Sequence, residues 1–336
     1  MIARLRPVLV LIVLAASLVL GACAAPAATP TLAPVTPVPS TMPTAAPTET
    51  PTEAPAFPAT LTDDEGTEVV IAAEPAKIVS LTPAATETLF ALGVGDRVVG
   101  KVEDWNLYPP EAAAIPDLAK FGSVDVEGIV GLGADLVIAG GSNFNPPEAI
   151  AKLRSLGVPV LVIFAPDLET ALADILLIGR AVGRETEAGL LTRGISDAFA
   201  EVSTAVADQP KLRVFYELDA TNGYFGPAPD YFGTEMIRIA GGDPLTSGTP
   251  GVYQIQAEQI VAFDPEVILL GDAAYGVTVE AVGQRPGWDV LSAVKSGDVR
   301  PIDDVIVTRP GPRLADGIRA LALAIHPDLV LPSPAP

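Results

Sequence analysis

The chain states one structural phrase twice. Residues 124–138 read VDVEGIVGLGADLVI and residues 255–269 read IQAEQIVAFDPEVIL. In register, Glu127 falls on Glu258, Ile129-Val130 on Ile260-Val261, Asp135 on Glu266, and the LVI run on VIL. A second pair keeps the same order, TETLFALG at 86–93 and TEMIRIAG at 234–241. Each copy of the longer phrase is a short helical run headed by a glutamate, then a turn, then an apolar run of strand length. Two such units in the same order predict two similar lobes. Two lobes make a cleft, a common place for a small-molecule site.

The segments around the repeat fit that plan. LTDDEGTEVVI reads as a hairpin turning at Asp64-Glu65-Gly66, and KIVSL at 77–81 as a buried strand. Thr82-Pro83 opens the helix AATETLFALG, which Gly93 stops. RVVGKV, DLVIAGG and VPVLVIF read as further strands, with helices at Glu127 and over PPEAIAKLRSLG. A helical run follows from Asp167 to Ala207, with Gly183 as a candidate break. The pattern then restarts as KLRVFYEL, FGTEMIRIAGG, AEQIVAF, EVILLGD, GWDVLSAV, VRPID and RLADGIRALALAIHP. Strands alternating with helices predict an α/β fold with mostly parallel central sheets. The expected lobes are 60–166 and 208–328, joined by the helical segment 167–207, with a ligand cleft between them.

Both ends are of a different kind. MIARLRP followed by VLVLIVLAASLVL has the charge and apolar core of an export signal. Leu20-Gly21-Ala22-Cys23 resembles the lipobox of bacterial lipoproteins, which implies cleavage before Cys23 and its diacylation. The rival is an uncleaved anchor helix, for which the apolar run is short. Residues 24–58 are almost wholly Ala, Pro, Thr, Val and Ser, the composition of an extended spacer. The tail 329–336 reads as a non-core end. The expected location is the extracytoplasmic face of a membrane, held there by a lipid.

Composition removes several function classes. The formal net charge of −21 repels phosphate backbones, so nucleic acid is not an expected partner. One cysteine and one histidine, His326, leave no nucleophilic triad and no histidine cluster for a metal, and no phosphate-binding glycine loop is present. The acid pairs Asp63-Asp64 and Asp303-Asp304 read as solvated turns. The expectation is a protein that is not an enzyme and carries no resident cofactor or metal.

KIVSLTPAATETLFALG, WNLYPPEAAAIPDLAKFGSVDVEGIVGLGADLVIA, VFYELD with GTEMIRIAGG, YQIQAEQIVAFDPEVILL and RPGWDVLSAVKSGDVRPIDDVIVTRPGPRLADGI follow one another over nearly all of residues 60–328. This ordered set resembles one family, the solute-binding proteins of ABC importers for vitamin B12, iron–siderophore complexes and haem. It implies that one long helix bridges the lobes over 167–207, and that closure on ligand is small. It also implies two docking glutamates, Glu127 and Glu258, one for each half of a twofold permease dimer that works with an ATPase. Exposed charges of that kind add orientation and encounter rate more than affinity.

For the ligand, the resemblance points to Trp105 and Phe121 in the first lobe, and to Tyr231, Tyr253 and Arg309 in the second. The aromatics offer flat apolar faces to a macrocycle or chelate, and Arg309 could reach a carboxylate, amide or catecholate oxygen. Val252 stands where the vitamin B12 binders place a tryptophan, with Tyr253 beside it. A corrinoid, a ferric siderophore and haem therefore all stay open. A haem iron would need a tyrosine here. A receptor that reports a ligand without transporting it is the other class of function, and exposure of both glutamates separates the two.

Overall fold

A computed structural model describes residues 57–142 and 144–332. The expected export signal, the expected lipidation site Cys23, nearly all of the expected spacer and the last four residues lie outside that range. Among the described residues no helix is long and apolar enough to cross a membrane.

The first lobe opens with the antiparallel hairpin β1 (Ala59–Thr62) and β2 (Glu68–Ile71), turning at the expected Asp-Glu-Gly. There follow β3 (Ile78–Ser80), α1 (Pro83–Ala91), β4 (Val98–Val102), β5 (Asp117–Lys120), β6 (Ser123–Val124), α2 (Val126–Leu132), β7 (Leu136–Gly140), α3 (Pro147–Ser155) and β8 (Val160–Ile163). The sheet order is β6-β5-β4-β3-β7-β8, parallel except at β5–β6. Helices α4 (Leu168–Ala181) and α5 (Glu185–Ala205) lead to the second lobe. That lobe holds β9 (Leu212–Glu217), β10 (Tyr224–Phe225), α6 (Phe232–Ile239), β11 (Gly242–Pro244), β12 (Gln254–Ile255), α7 (Ala257–Phe263) and β13 (Val267–Leu270). Helices α8 (Val279–Gly283) and α9 (Ser292–Ser296), strand β14 (Val299–Pro301), and helices α10 (Asp304–Thr308) and α11 (Leu314–Ile325) complete it. Its parallel sheet has the order β11-β9-β13-β14. That order repeats β4-β3-β7-β8 of the first lobe, so the sequence repeat is a repeat of topology.

Alternation along the strands sends side chains to two different cores. Ile78, Leu136, Ile138 and Leu161 point to one side of the first sheet, and Val214, Tyr216, Val267 and Leu269 to one side of the second. These eight belong to a single continuous apolar cluster, filled by α1, α4, α5, α6 and α11. The opposite faces have separate cores, around Val79, Val137 and Val162 in one lobe and Phe215, Ile268 and Trp288 in the other. The lobes thus share half their interior. Opening them like a book would expose apolar area at roughly 25 cal/mol per Å², which opposes a large hinge motion.

The segment 167–207 is not one continuous helix. Gly183 adopts φ +69°, and α4 ends there. The connection that crosses between lobes is the 21-residue α5, packed against α4 on one side and α11 and α6 on the other. The acid pairs are not simply solvated turns either. Asp63 is buried, where its Oδ1 accepts from the Thr67 amide at 2.7 Å and its Oδ2 from Arg154 at 2.6 Å. Asp304 accepts from the buried Tyr216 hydroxyl at 2.5 Å. The GWDVLSAV segment forms a helix only from Ser292. Its Trp288 is a core plug between Phe215 and Tyr224, with ring centroids 6.1 and 5.0 Å away.

Candidate functional site

Open parallel sheets bind ligands beyond the carboxyl ends of their strands, and that is where the main cavity lies. It measures about 680 Å³. On the first-lobe side it is bounded by Thr82 after β3, Gly140 and Phe144 after β7, Phe164 after β8, Phe121 from the β5–β6 turn, and Asp174 of α4. On the second-lobe side it is bounded by Asp230, Tyr231, Tyr253, Thr308 and Arg309.

Local chemistry explains these positions. Thr82 caps α1, its hydroxyl accepting from the Ala85 amide at 3.2 Å. Gly140 permits a close approach, since a Cβ there would lie 2.7 Å from the Thr82 methyl and 2.9 Å from the Phe144 Cβ. Tyr231 precedes α6 and packs on Phe232 and Tyr253, with ring centroids 4.5 and 5.8 Å apart. Burial, then the nearby Asp304 carboxylate, pushes the Tyr231 hydroxyl well above its ordinary pKa. Burial and Asp230 push Tyr253 up as well. Both phenols are therefore held protonated at neutral pH.

Arg309 and Arg313 cross from the second lobe to the first. Arg309 donates to Glu87 at 2.8 Å and to both Asp104 oxygens at 2.6 and 2.8 Å. Arg313 donates to the two Glu87 oxygens at 2.8 and 2.7 Å, and its guanidinium lies 4.2 Å from the Tyr108 ring centre. The Glu87 side chain is only 1% exposed. This ion cluster joins the lobes beside the cavity that Arg309 lines. It also commits Arg309, the one cation lining the cavity among the described residues, to carboxylates of the protein itself.

Of the residues singled out from sequence, Phe121, Tyr231, Tyr253 and Arg309 are brought together around the cavity. Trp105 is not among its lining; it is 91% exposed, on the strip whose Asp104 holds Arg309. Val252 is exposed beside Tyr253. Glu127 and Glu258 each sit at the second position of their helix, α2 and α7. Both are exposed, with no hydrogen-bond or ion-pair partner among the described residues. Phe121 precedes Glu127 by six residues and Tyr253 precedes Glu258 by five, so chain reach keeps each carboxylate within about 20 Å of the cavity wall. His326 is buried at the end of α11 against Gly241, away from the cavity. Sequence reasoning passed over Phe144, Phe164, Asp174 and Asp230. The first two were readable as the residues that follow strand runs, and Asp174 as a lone acid inside an apolar helical stripe.

Comparison with known proteins agrees with this geometry. The family model for periplasmic binding proteins matches residues 78–305. An uncharacterized ABC transporter substrate-binding lipoprotein of Bacillus subtilis (strain 168) is 33% identical, over 81% of this chain and 87% of that protein. A cobalamin-binding protein of Halobacterium salinarum is 29% identical, over 81% of this chain and 75% of its own. Among solved structures, the periplasmic heme-binding protein of Roseiflexus sp. RS-1 in apo form superposes with a TM-score of 0.67 and 26% identity, covering 75% of this chain and 98% of that one. With a matched model over most of its length and two lobes around one cleft, this chain belongs to the periplasmic binding protein family.

Proposed function

We propose that the protein is the extracytoplasmic substrate-binding component of an ABC importer. It captures a corrinoid or a chelate of similar surface between its lobes and hands it to a membrane permease. One observation carries the reading. In each lobe, a single short segment supplies an aromatic to the cavity and a free, exposed glutamate to the helix that follows, Phe121 with Glu127 and Tyr253 with Glu258. Ligand and permease contacts are thereby built twice, as a twofold partner requires. The lipidated Cys23 and the spacer 24–58 complete the assignment as anchor and tether. Trp105 belongs to it as a rim residue that meets the outer face of a bound ligand.

Within the ligand class, the cavity favours a corrinoid. A haem iron held by tyrosine needs a phenolate, and burial together with Asp304 at Tyr231 and Asp230 at Tyr253 opposes that charge in both cavity tyrosines. Anionic siderophores need uncommitted cations, and Arg309 is already paired. The test is an ultraviolet–visible titration of the soluble body with cyanocobalamin, haem and a ferric tris-catecholate. Saturable binding of cyanocobalamin, weakened by Phe121→Ala, is expected. Saturable binding of haem or the ferric catecholate alone would overturn the corrinoid assignment. Binding of none would overturn the carrier reading.

A further inference from the structure

Among the described residues, the cavity contains one buried polar side-chain atom that the fold does not satisfy. Asp174 stands on the buried face of α4, between Ala171, Ile175 and Ile178, and lines the cavity beside Phe164. The residue is 4% exposed, and its Oδ1 has no hydrogen-bond partner among the described residues. The neighbouring donors are already used. The Phe164 amide goes to Asp64 Oδ2 at 2.5 Å, the Asp64 amide to the Val162 carbonyl at 3.1 Å, and the Thr170 amide to Asp167 Oδ1 at 2.8 Å. The charged groups facing Asp174 are carboxylates: Asp64 from the β1–β2 turn, with which its protonated carboxyl shares a hydrogen bond, and Asp167 at the start of α4. Burial first, then Asp64, raises its pKa to about 9, so the group is a neutral acid at neutral pH. A buried carboxyl oxygen left without a partner, here Oδ1, costs stability, and such an exception calls for a role. The donor that completes it must come from the cavity side.

We propose that Asp174 is a specificity residue of the cleft, where its carboxyl takes a hydrogen-bond donor on the ligand's periphery, a primary amide or an ammonium. The inference rests on the carrier reading above and deepens it. The rest of the cavity agrees. Asp230 on the second-lobe side spends one oxygen on the Gly251 amide at 2.9 Å and adds negative charge. Arg309 is the only lining cation among the described residues, and Glu87 and Asp104 hold it. Such a wall accepts an edge of amides and turns away an edge of carboxylates or catecholates.

The experiment compares wild type, Asp174→Asn and Asp174→Leu, with thermal melts to confirm folding. Each is titrated with cyanocobalamin, whose edge is rich in amides, and with haem and a ferric tris-catecholate, whose edges are anionic. Asp174→Leu should lose about tenfold or more in cyanocobalamin affinity, and Asp174→Asn, whose carbonyl still accepts, less than about threefold. For the anionic probes, Asp174→Leu should bind as well as wild type or better. If wild type binds cyanocobalamin and folded Asp174→Leu binds it equally well, Asp174 is not a ligand contact and its missing partner is water. A uniform loss for all three probes means a packing role and also overturns the assignment. If wild type binds none of the three, the carrier reading fails, and this inference with it.

Discussion

The two lobes share a frame and differ where they meet. At the base of each sheet the same device recurs. Asp135 accepts from the Ala76 and Lys77 amides, both at 2.9 Å, and Lys77 Nζ returns to the Leu132 carbonyl at 2.9 Å. In the second lobe Glu266 accepts from the Arg213 amide at 3.0 Å, and Arg213 Nε returns to the Asp264 carbonyl at 2.8 Å. The buried threonines Thr86 and Thr234 both donate to a backbone carbonyl just upstream. One residue later the lobes part. Glu87 is buried under two arginines of the opposite lobe, whereas its counterpart Glu235 is exposed and has no ion-pair partner among the described residues. The repeated positions hold each sheet to its following helix. The divergent ones join the lobes and shape the cleft.

The sharpest way to break this comparison is to remove both glutamates in turn. Glu87→Ala leaves two half-buried guanidiniums, Arg309 with Asp104 and Arg313 with no ion-pair partner among the described residues, a loss of about 3–5 kcal/mol. Glu235→Ala changes an exposed helix position and should stay within about 0.5 kcal/mol. Denaturant midpoints of the two variants decide it; equal losses would mean the cross-lobe cluster does not hold the lobes together.

A smaller effect of opposite sign is expected at Asp174. Its folded pKa is raised to about 9, above the unfolded value near ~3.9. The unfolded chain therefore sheds this proton first as pH rises, and the group's contribution to stability falls from about pH 4 to pH 9. Asp174→Asn should gain on the order of 1–3 kcal/mol over wild type at pH 8 and markedly less at pH 5. Melts at both values check this, and a difference that does not grow with pH would contradict the neutral buried acid. The smallest contrast compares the helix ends of α2 and α7. Gly133 (φ +67°) and Asp264 (φ +49°) both adopt the left-handed conformation, but Asp264 also holds the Ser292 amide and hydroxyl at 2.7 and 2.8 Å. Gly133→Ala should cost about 1 kcal/mol. Asp264→Gly should be close to neutral, as relieved strain offsets the two lost bonds. A loss above about 2 kcal/mol there would show that the side-chain bonds dominate.

Local pattern made the repeated frame legible. LVIA in β7 alternates between two cores, and Glu127 and Glu258 head helices in both copies because the repeat is in the residues themselves. The shared core was not legible, since nothing local in ILLIG or ALALAI says which lobe each apolar stripe will meet. Nor does TETLFALG differ from TEMIRIAG in any way that marks Glu87 as buried. Its partners lie more than two hundred residues away, in TRPGPR. Arg309 was legible as a cleft residue but not as one already neutralised, for the same reason. Asp174 carried a signal that periodicity could have caught, an acid at a position where Ala171 and Ile178 predict the core.

The central claim is that one molecule separates two tasks, binding in the cleft and docking at the rim. Its most direct test is ATP-driven uptake of cyanocobalamin into proteoliposomes holding the cognate permease and ATPase, with the wild-type protein or the Glu127→Ala/Glu258→Ala double variant supplied outside. The account predicts that the double variant binds cyanocobalamin within about twofold of wild type and supports no uptake, with each single variant between the two. Full uptake by the double variant, or loss of binding along with uptake, would contradict it.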